Sequence, residues 1–181
     1  MPVPLVSIVV PSRGGADRLP VLLDALRAQE GPEWEAVVVI DGDVDDSGPL
    51  LRELAGDLPV RIVVFDQNQG RSAALNAGFA EARGQVLVRC DDDLVPSPDY
   101  VSRHAAAHDG QPVGVVGLYR NVYPETAYAR VYGRHWDEQF RREAYSRPPD
   151  QWWRCWAGNV SVTRETWERI GPYDMGFRAY G

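Results

Sequence analysis

Five short, almost uninterrupted apolar runs, each but the last followed by a stretch with helical spacing, constrain this chain more than any other feature. Leu5 to Val10 is apolar apart from Ser7, and Ala36 to Ile40 is apolar throughout. Val60 to Phe65, Val86 to Arg89 and Val113 to Leu118 repeat the pattern. Between them, Leu19, Leu22, Leu23 and Leu26 recur at helical spacing, with Pro20 tolerated in the first turn. Leu50, Leu51 and Leu54 mark a short helix, and Leu75, Phe79 and Ala82 stripe another that is expected to end at Gly84. Ser97-Pro98 reads as the N-cap and first residue of a further helix, with Val101, His104, Ala105 and His108 on one face. Strands that are apolar on both faces and alternate with helices indicate an α/β fold: a Rossmann-like, mostly parallel sheet with helices on both faces. Its crossovers should be right-handed. From Asn121 to Trp153 the chain turns rich in Tyr, Arg and Trp with weak periodicity, which predicts a long loop with helical pieces. Asn159 to Thr163 reads as one more strand and Arg164 to Ile170 as one more helix.

A length of 181 residues suits a single domain. No run approaches the roughly 20 apolar residues of a membrane span, so no integral membrane segment is expected. The first residues lack the basic-then-apolar pattern of a signal peptide. The expectation is a cytoplasmic protein, or one resting at a membrane surface. Net charge is −7, from 19 basic and 26 acidic residues, which argues against nucleic acid as a partner. Every basic residue is Arg, so chemistry that needs a Lys amine is excluded. Cys90 and Cys155 are too few for a cysteine metal cluster and read as small buried hydrophobes.

Polar residues collect where strands end. The first strand runs into Pro11-Ser12-Arg13-Gly14-Gly15, the second into Asp41-Gly42-Asp43, the third into Asp66 to Arg71, and the fourth into Asp91-Asp92-Asp93. In an open parallel sheet these ends share one edge, where ligands bind. The acidic triplet is the sharpest of these features. Side chains two apart on extended chain share a side, with Cα atoms roughly 6.5–7 Å apart, so Asp91 and Asp93 can converge while Asp92 points elsewhere. Oxygen-only ligands suit Mg²⁺ or Mn²⁺, often completed by phosphates; a solvated acidic turn is the alternative. No glycine-rich phosphate cradle is present, so a diphosphate here needs a metal and Arg. Arg71 is the candidate, its alternative being a surface Arg at a helix start.

Five segments, in order, resemble a known family. Val6 to Arg13 resembles the opening strand of family-2 glycosyltransferases. Asn68 to Gly78 is similar to their N-x-G-x-x-x-A-x-N-x-G segment, and Asp91-Asp92-Asp93 to their D-x-D motif. Gly158 to Val162 and Gly171 to Phe177 resemble the acceptor-side segment and the G-x-[FY]-D-x-x-F run. The resemblance implies a GT-A fold, a nucleoside-diphosphate sugar donor (UDP favoured), an acceptor hydroxyl on a carbohydrate or other molecule, inverting transfer and dependence on Mn²⁺ or Mg²⁺. It implies donor contacts at Pro11, Ser12, Arg13, Asp41, Asn68, Gly70, Arg71, Asn76, Asp91 and Asp92. It also implies metal ligation by Asp93 with Asp91, and an acceptor side at Trp156, Gly158 and Asn159. Residues 1–118 would form the nucleotide-sugar-binding half of one domain spanning 1–181, and residues 119–181 the acceptor-side half, incomplete at its C-terminus.

Two departures stand out. The family's second-strand motif commonly has an Asp pair followed by Gly-Ser, whereas here Ile40 holds the first position and Asp43 replaces the Ser. An acidic pair supplying the catalytic base usually follows the Phe-x-x-x-Gly run. Gly181 falls where that pair should begin, so the catalytic base is expected to lie outside residues 1–181. Residues 1–181 are thus expected to bind donor and to transfer sugar poorly. Two rivals remain: a non-catalytic nucleotide-sugar-binding domain or fragment, and a phosphatase of the haloacid-dehalogenase type with Asp91 as nucleophile. The second lacks the Lys such enzymes use.

Overall fold

The structure is a computed structural model that describes residues 5–108, 114–148, 150–151 and 157–176. A six-stranded sheet runs in the order β3-β2-β1-β4-β6-β5. Its strands are β1 (Val6–Ser12), β2 (Trp34–Asp41), β3 (Val60–Phe65), β4 (Val86–Cys90), β5 (Val115–Val116) and β6 (Asn159–Thr163). The first four are parallel to one another, while β6 runs antiparallel to β4 and β5 antiparallel to β6. The α/β, mostly parallel reading is borne out.

The two-sided apolar strands are explained by helices on both faces. Val6, Ile8 and Val10 of β1, with Ala36, Val38 and Ile40 of β2, meet α1 (Leu19–Arg27), α2 (Ser47–Ala55) and α4 (Tyr100–Ala107). The alternate residues Val9, Val37 and Val39 turn to the opposite face and meet α3 (Arg71–Glu81), and Val162 joins α6 (Arg164–Ile170) there through Trp167. A π-helical turn, Ala129–Gly133, leads into α5 (Arg134–Ser146), none of whose residues is buried. Among the described residues no helix is long and apolar enough to cross a membrane.

Three local expectations are corrected. The helix expected at Ser97-Pro98 begins at Tyr100; the Ser97 hydroxyl donates to Asp99 Oδ1 at 2.6 Å, stabilising a turn instead of capping a helix. Helix α3 stops at Glu81, not at Gly84. Gly84 is required for close approach, because a Cβ there would lie 2.7 Å from the Ser7 backbone nitrogen. Among its described residues the fifth apolar run forms only the two residues of β5, paired to β6 and not to a parallel neighbour.

Helix α3 sits unusually close to the sheet at Gly78. A Cβ there would fall 2.3 Å from Val9 Cγ1, a branched side chain with little freedom to move. Gly78→Ala is expected to lower stability by about 1–2 kcal/mol, overpacking outweighing the better helix propensity of Ala. Urea unfolding checks this; a higher midpoint would mean that α3 can lift off β1 without loss.

Candidate functional site

Strand β4 delivers the acidic triplet to the carboxyl edge of the sheet. Beyond that edge lies a cleft of about 1270 Å³ whose wall includes Arg71, Arg89, Asp91, Asp93, Tyr100, Arg120, Gly158, Asn159 and Tyr173. Asp91 and Asp93 face this cleft, while Asp92 turns the other way, as strand alternation predicts. Asp92 accepts from Ser12 Oγ at 2.6 Å and from Arg18 Nε and Nη2 at 3.1 and 2.9 Å. It thereby fastens the end of β1 and the start of α1 to the end of β4.

Asp91 is held from its own strand. Arg89 Nε and Nη2 donate to its two carboxylate oxygens at 2.8 and 2.9 Å. The pair is mostly enclosed, with the Arg89 side chain 11% exposed. Gly158 makes room for it: a Cβ there would lie 2.7 Å from Asp91 Cγ, and the Gly158 carbonyl accepts from the Asp91 N–H at 2.9 Å. Asp93 is exposed and has no hydrogen-bond or ion-pair partner among the described residues. Cys90, beside them, is fully buried, and burial pushes its thiol up to about 12, so it remains a protonated core group.

The remaining sequence-derived residues divide in two. Arg71, Asp91, Asp93, Gly158 and Asn159 meet in the cleft. Pro11, Ser12, Arg13, Asp41, Asn68, Gly70, Asn76 and Asp92 do not line it. Buried Asp41 accepts from the N–H groups of Gln69 and Gly70 at 2.6 and 2.9 Å and so shapes the loop before α3. Asn68 Oδ1 accepts from Gly70 N–H at 2.9 Å within the same loop. Asn76 clamps the backbone of Tyr173, donating to its carbonyl at 2.9 Å and accepting from its N–H at 2.8 Å. Asp174 accepts from Gly176 N–H at 2.7 Å and closes a local turn. Trp156 and Cys155 lie outside the described residues.

Sequence reasoning missed Arg89, Arg18, Arg120 and Tyr173. The signal for Arg89 was available: it stands two residues before Asp91, on the same side of an extended strand. A buried polar cluster behind the cleft was also missed. His104 of α4 and His108, the C-cap of that helix, reach Ser161 and Asn159 of β6, and burial lowers the His104 pKa to about 4.

The oxygen-rich end of β4 is compatible with a divalent cation of the magnesium type. Among the described residues no three His, Cys, Asp or Glu side chains gather to enclose a metal ion. Two carboxylates with the remaining positions left to phosphate and water is the usual Mg²⁺ arrangement, and Asp93 with Asp91 are the two residues that would hold such an ion here.

The chain spans about half the length of the curated relatives it matches. It is 33% identical to an undecaprenyl-phosphate 4-deoxy-4-formamido-L-arabinose transferase of Pseudomonas fluorescens, over 99% of this chain and 48% of that protein. Among solved structures it resembles a mannosyltransferase from Pyrobaculum calidifontis in complex with GDP-Man and Mn²⁺, with a TM-score of 0.68 at 20% identity, covering 95% of this chain and 48% of that one. It also resembles residues 1–349 of S. aureus TarS in complex with UDP, with a TM-score of 0.66 at 17% identity, covering 96% and 51%. These likenesses identify the fold as GT-A. The sequence model described as "Glycosyl transferase family 2" matches residues 7–169, and with that match the chain belongs to glycosyl transferase family 2.

Proposed function

We propose that this domain takes a sugar from a nucleoside-diphosphate donor and passes it to an acceptor oxygen, with inversion at the anomeric carbon. The observation that carries the reading is the convergence of Asp91 and Asp93 on a large cleft that also presents Arg71 and Arg120. A doubly anionic diphosphate is repelled by carboxylates unless a cation lies between them. Mn²⁺ or Mg²⁺ held by Asp93 and Asp91 would supply that charge and stabilise the departing diphosphate. Arg71 and Arg120, which both line the cleft, would bind phosphate oxygens. The loops at Pro11 to Arg13 and Asp41, with Asn68 and Gly70, border the nucleoside. Gly158 and Asn159 border the sugar and acceptor. In the transfer the acceptor oxygen forms a bond to the anomeric carbon as the bond to the diphosphate breaks.

The name of the Pseudomonas relative favours a polyprenyl phosphate as acceptor. A phosphate monoester has a second pKa of about 6, so its oxygen is already anionic at neutral pH. A hydroxyl acceptor would instead need a base, worth about 10²–10⁴-fold. Of the described residues that line the cleft, only Asp91 and Asp93 are acidic. A lipid-linked acceptor would place the domain at the cytoplasmic face of a membrane, as a peripheral protein. The phosphatase reading fares worse: the chain has no Lys to steady a phosphoaspartate.

The test is calorimetric titration of UDP and GDP with Mn²⁺ and again with excess chelator. UDP is expected to bind at least about tenfold more tightly with the cation. Equal affinity in the two conditions would remove the metal from the site.

A further inference from the structure

Four polar side chains form one connected chain behind the cleft. His108 Nε2 lies 2.7 Å from Ser161 Oγ, Ser161 Oγ lies 2.8 Å from His104 Nδ1, and His104 Nε2 lies 3.0 Å from Asn159 Oδ1. His104, His108 and Ser161 are buried, whereas Asn159 is partly exposed and lines the cleft. The elements dictate this meeting. His104 lies in the last turn of α4 and His108 follows four residues on as its C-cap, and Asn159 and Ser161 are two apart on β6 and share a side of the sheet. Tyr100, one further turn back on α4, packs edge-on against the His104 ring at 4.6 Å between centroids. The end of β5 completes the enclosure. A Cβ at Gly117 would lie 2.3 Å from Asn159 Nδ2, so only glycine lets the carboxamide lie there.

The proton positions follow in order. Asn159 Oδ1 can only accept, so His104 Nε2 carries the hydrogen. A neutral imidazole has one N–H, which leaves His104 Nδ1 as an acceptor for the Ser161 hydroxyl. Ser161 Oγ, having donated, accepts in turn from His108 Nε2–H. Burial keeps His104 neutral near pH 7, which this order requires. The row of donors therefore runs one way and ends on Asn159 Oδ1. The Asn159 amide is left with its N–H₂ group as the free end.

We propose that His104 and Ser161, backed by His108, are positioning residues that fix the Asn159 carboxamide with its N–H₂ turned to the cleft, where it donates to an oxygen of the bound sugar. The proposal rests on the glycosyltransferase reading of the cleft. Without the relay the amide could rotate and present either an oxygen or a nitrogen. With it, the site offers a fixed donor, which selects hydroxyl or phosphoryl oxygen at that point.

Two measurements test it. The first needs no ligand: ¹⁵N NMR of the wild-type His104 ring and the Asn159 side-chain amide. The expected signature is a neutral Nε2–H tautomer of His104 at pH 7 that is lost in Ser161→Ala and restored in Ser161→Thr, which keeps a hydroxyl. An Nδ1–H tautomer in the wild type would overturn the assigned order. The second compares UDP with the tightest binder among UDP-glucose, UDP-N-acetylglucosamine and GDP-mannose. Ser161→Ala and His104→Phe are expected to weaken the nucleotide sugar by about tenfold while UDP binding stays within about twofold, and Ser161→Thr to recover most of the loss. Equal loss for UDP and nucleotide sugar, or no loss for either, would overturn the positioning role. If no nucleotide binds the wild type, the donor reading itself fails, and the NMR result still decides the orientation of Asn159.

Discussion

Asp93→Asn is expected to weaken Mn²⁺-dependent binding of UDP by about a hundredfold or more, and Asp43→Asn to leave it within about twofold, because loss of a metal-assisted clamp is worth several kcal/mol. The two residues are both acidic, both follow a strand of the same sheet, and differ in what they already hold. Asp43 Oδ1 accepts from Ser47 Oγ at 3.3 Å and Oδ2 from Gly48 N–H at 3.1 Å, so it ties down the first turn of α2. An Asn keeps one of those acceptors, and loss of the other costs about 1 kcal/mol of stability without touching the cleft. Asp93 is exposed at the cleft, and its charge is not neutralised by an ion pair among the described residues. Asp91→Asn is a poorer probe, since it also strips Arg89 of its bidentate partner in a mostly enclosed position. Calorimetry with Mn²⁺ at fixed ionic strength reads the difference. Matching affinities for the Asp93 and Asp43 variants would contradict the assignment of the cation to the end of β4.

The reach of the sequence follows the range of the interactions involved. Val60–Phe65, Asn159–Thr163 and Arg164–Ile170 are found where their local patterns put them, because an apolar run bounded by turn residues and a Thr cap is a local signal. The insertion of β6 between β4 and β5 was not legible. Cys90 pairs with Asn159 across 69 residues of chain, and nothing in either segment specifies an antiparallel partner. The start of α4 was misplaced because Ser97-Pro98 satisfies a helix-start pattern that the structure uses for a turn. At the site, strand alternation separated Asp92 from Asp91 and Asp93. The same alternation would have found Arg89, had the pairing been read backwards along the strand. His104 and His108 were visible as one helix face. Their purpose was not, because Ser161 lies more than fifty residues away and meets them only through the sheet.

Glu35→Ala is expected to lower the free energy of unfolding by about 3 kcal/mol, at the lower end of the cost of breaking a buried ion pair. Glu35 lies on β2 at the edge of the sheet opposite the cleft and is 7% exposed. Its Oε1 accepts from Ser7 Oγ at 2.7 Å and from Arg83 N–H at 2.6 Å, and its Oε2 from Arg61 Nη2 at 3.1 Å. Ser7 Oγ in turn accepts from Gly84 N–H at 2.7 Å. One carboxylate thus joins β1, β2, β3 and the turn that leads from α3 into β4. That turn is where Gly84 must press against the Ser7 backbone. Removing the carboxylate leaves the Ser7 hydroxyl without its buried acceptor and the Arg83 N–H with only its longer bond to Ser7 Oγ at 3.2 Å, and an unmet group of this kind costs about 1–3 kcal/mol. Arg61 limits the damage, since its side chain is 29% exposed and also meets Glu81. Glu35→Gln keeps an acceptor and the volume, so its loss should be roughly 1–2 kcal/mol. Urea unfolding gives both values, and UDP affinity measured well below the transition should be unchanged, because the network stands at the far edge from Asp91. A loss under about 1 kcal/mol for Glu35→Ala would mean that water replaces the carboxylate and that the lower edge of the sheet is held by packing alone.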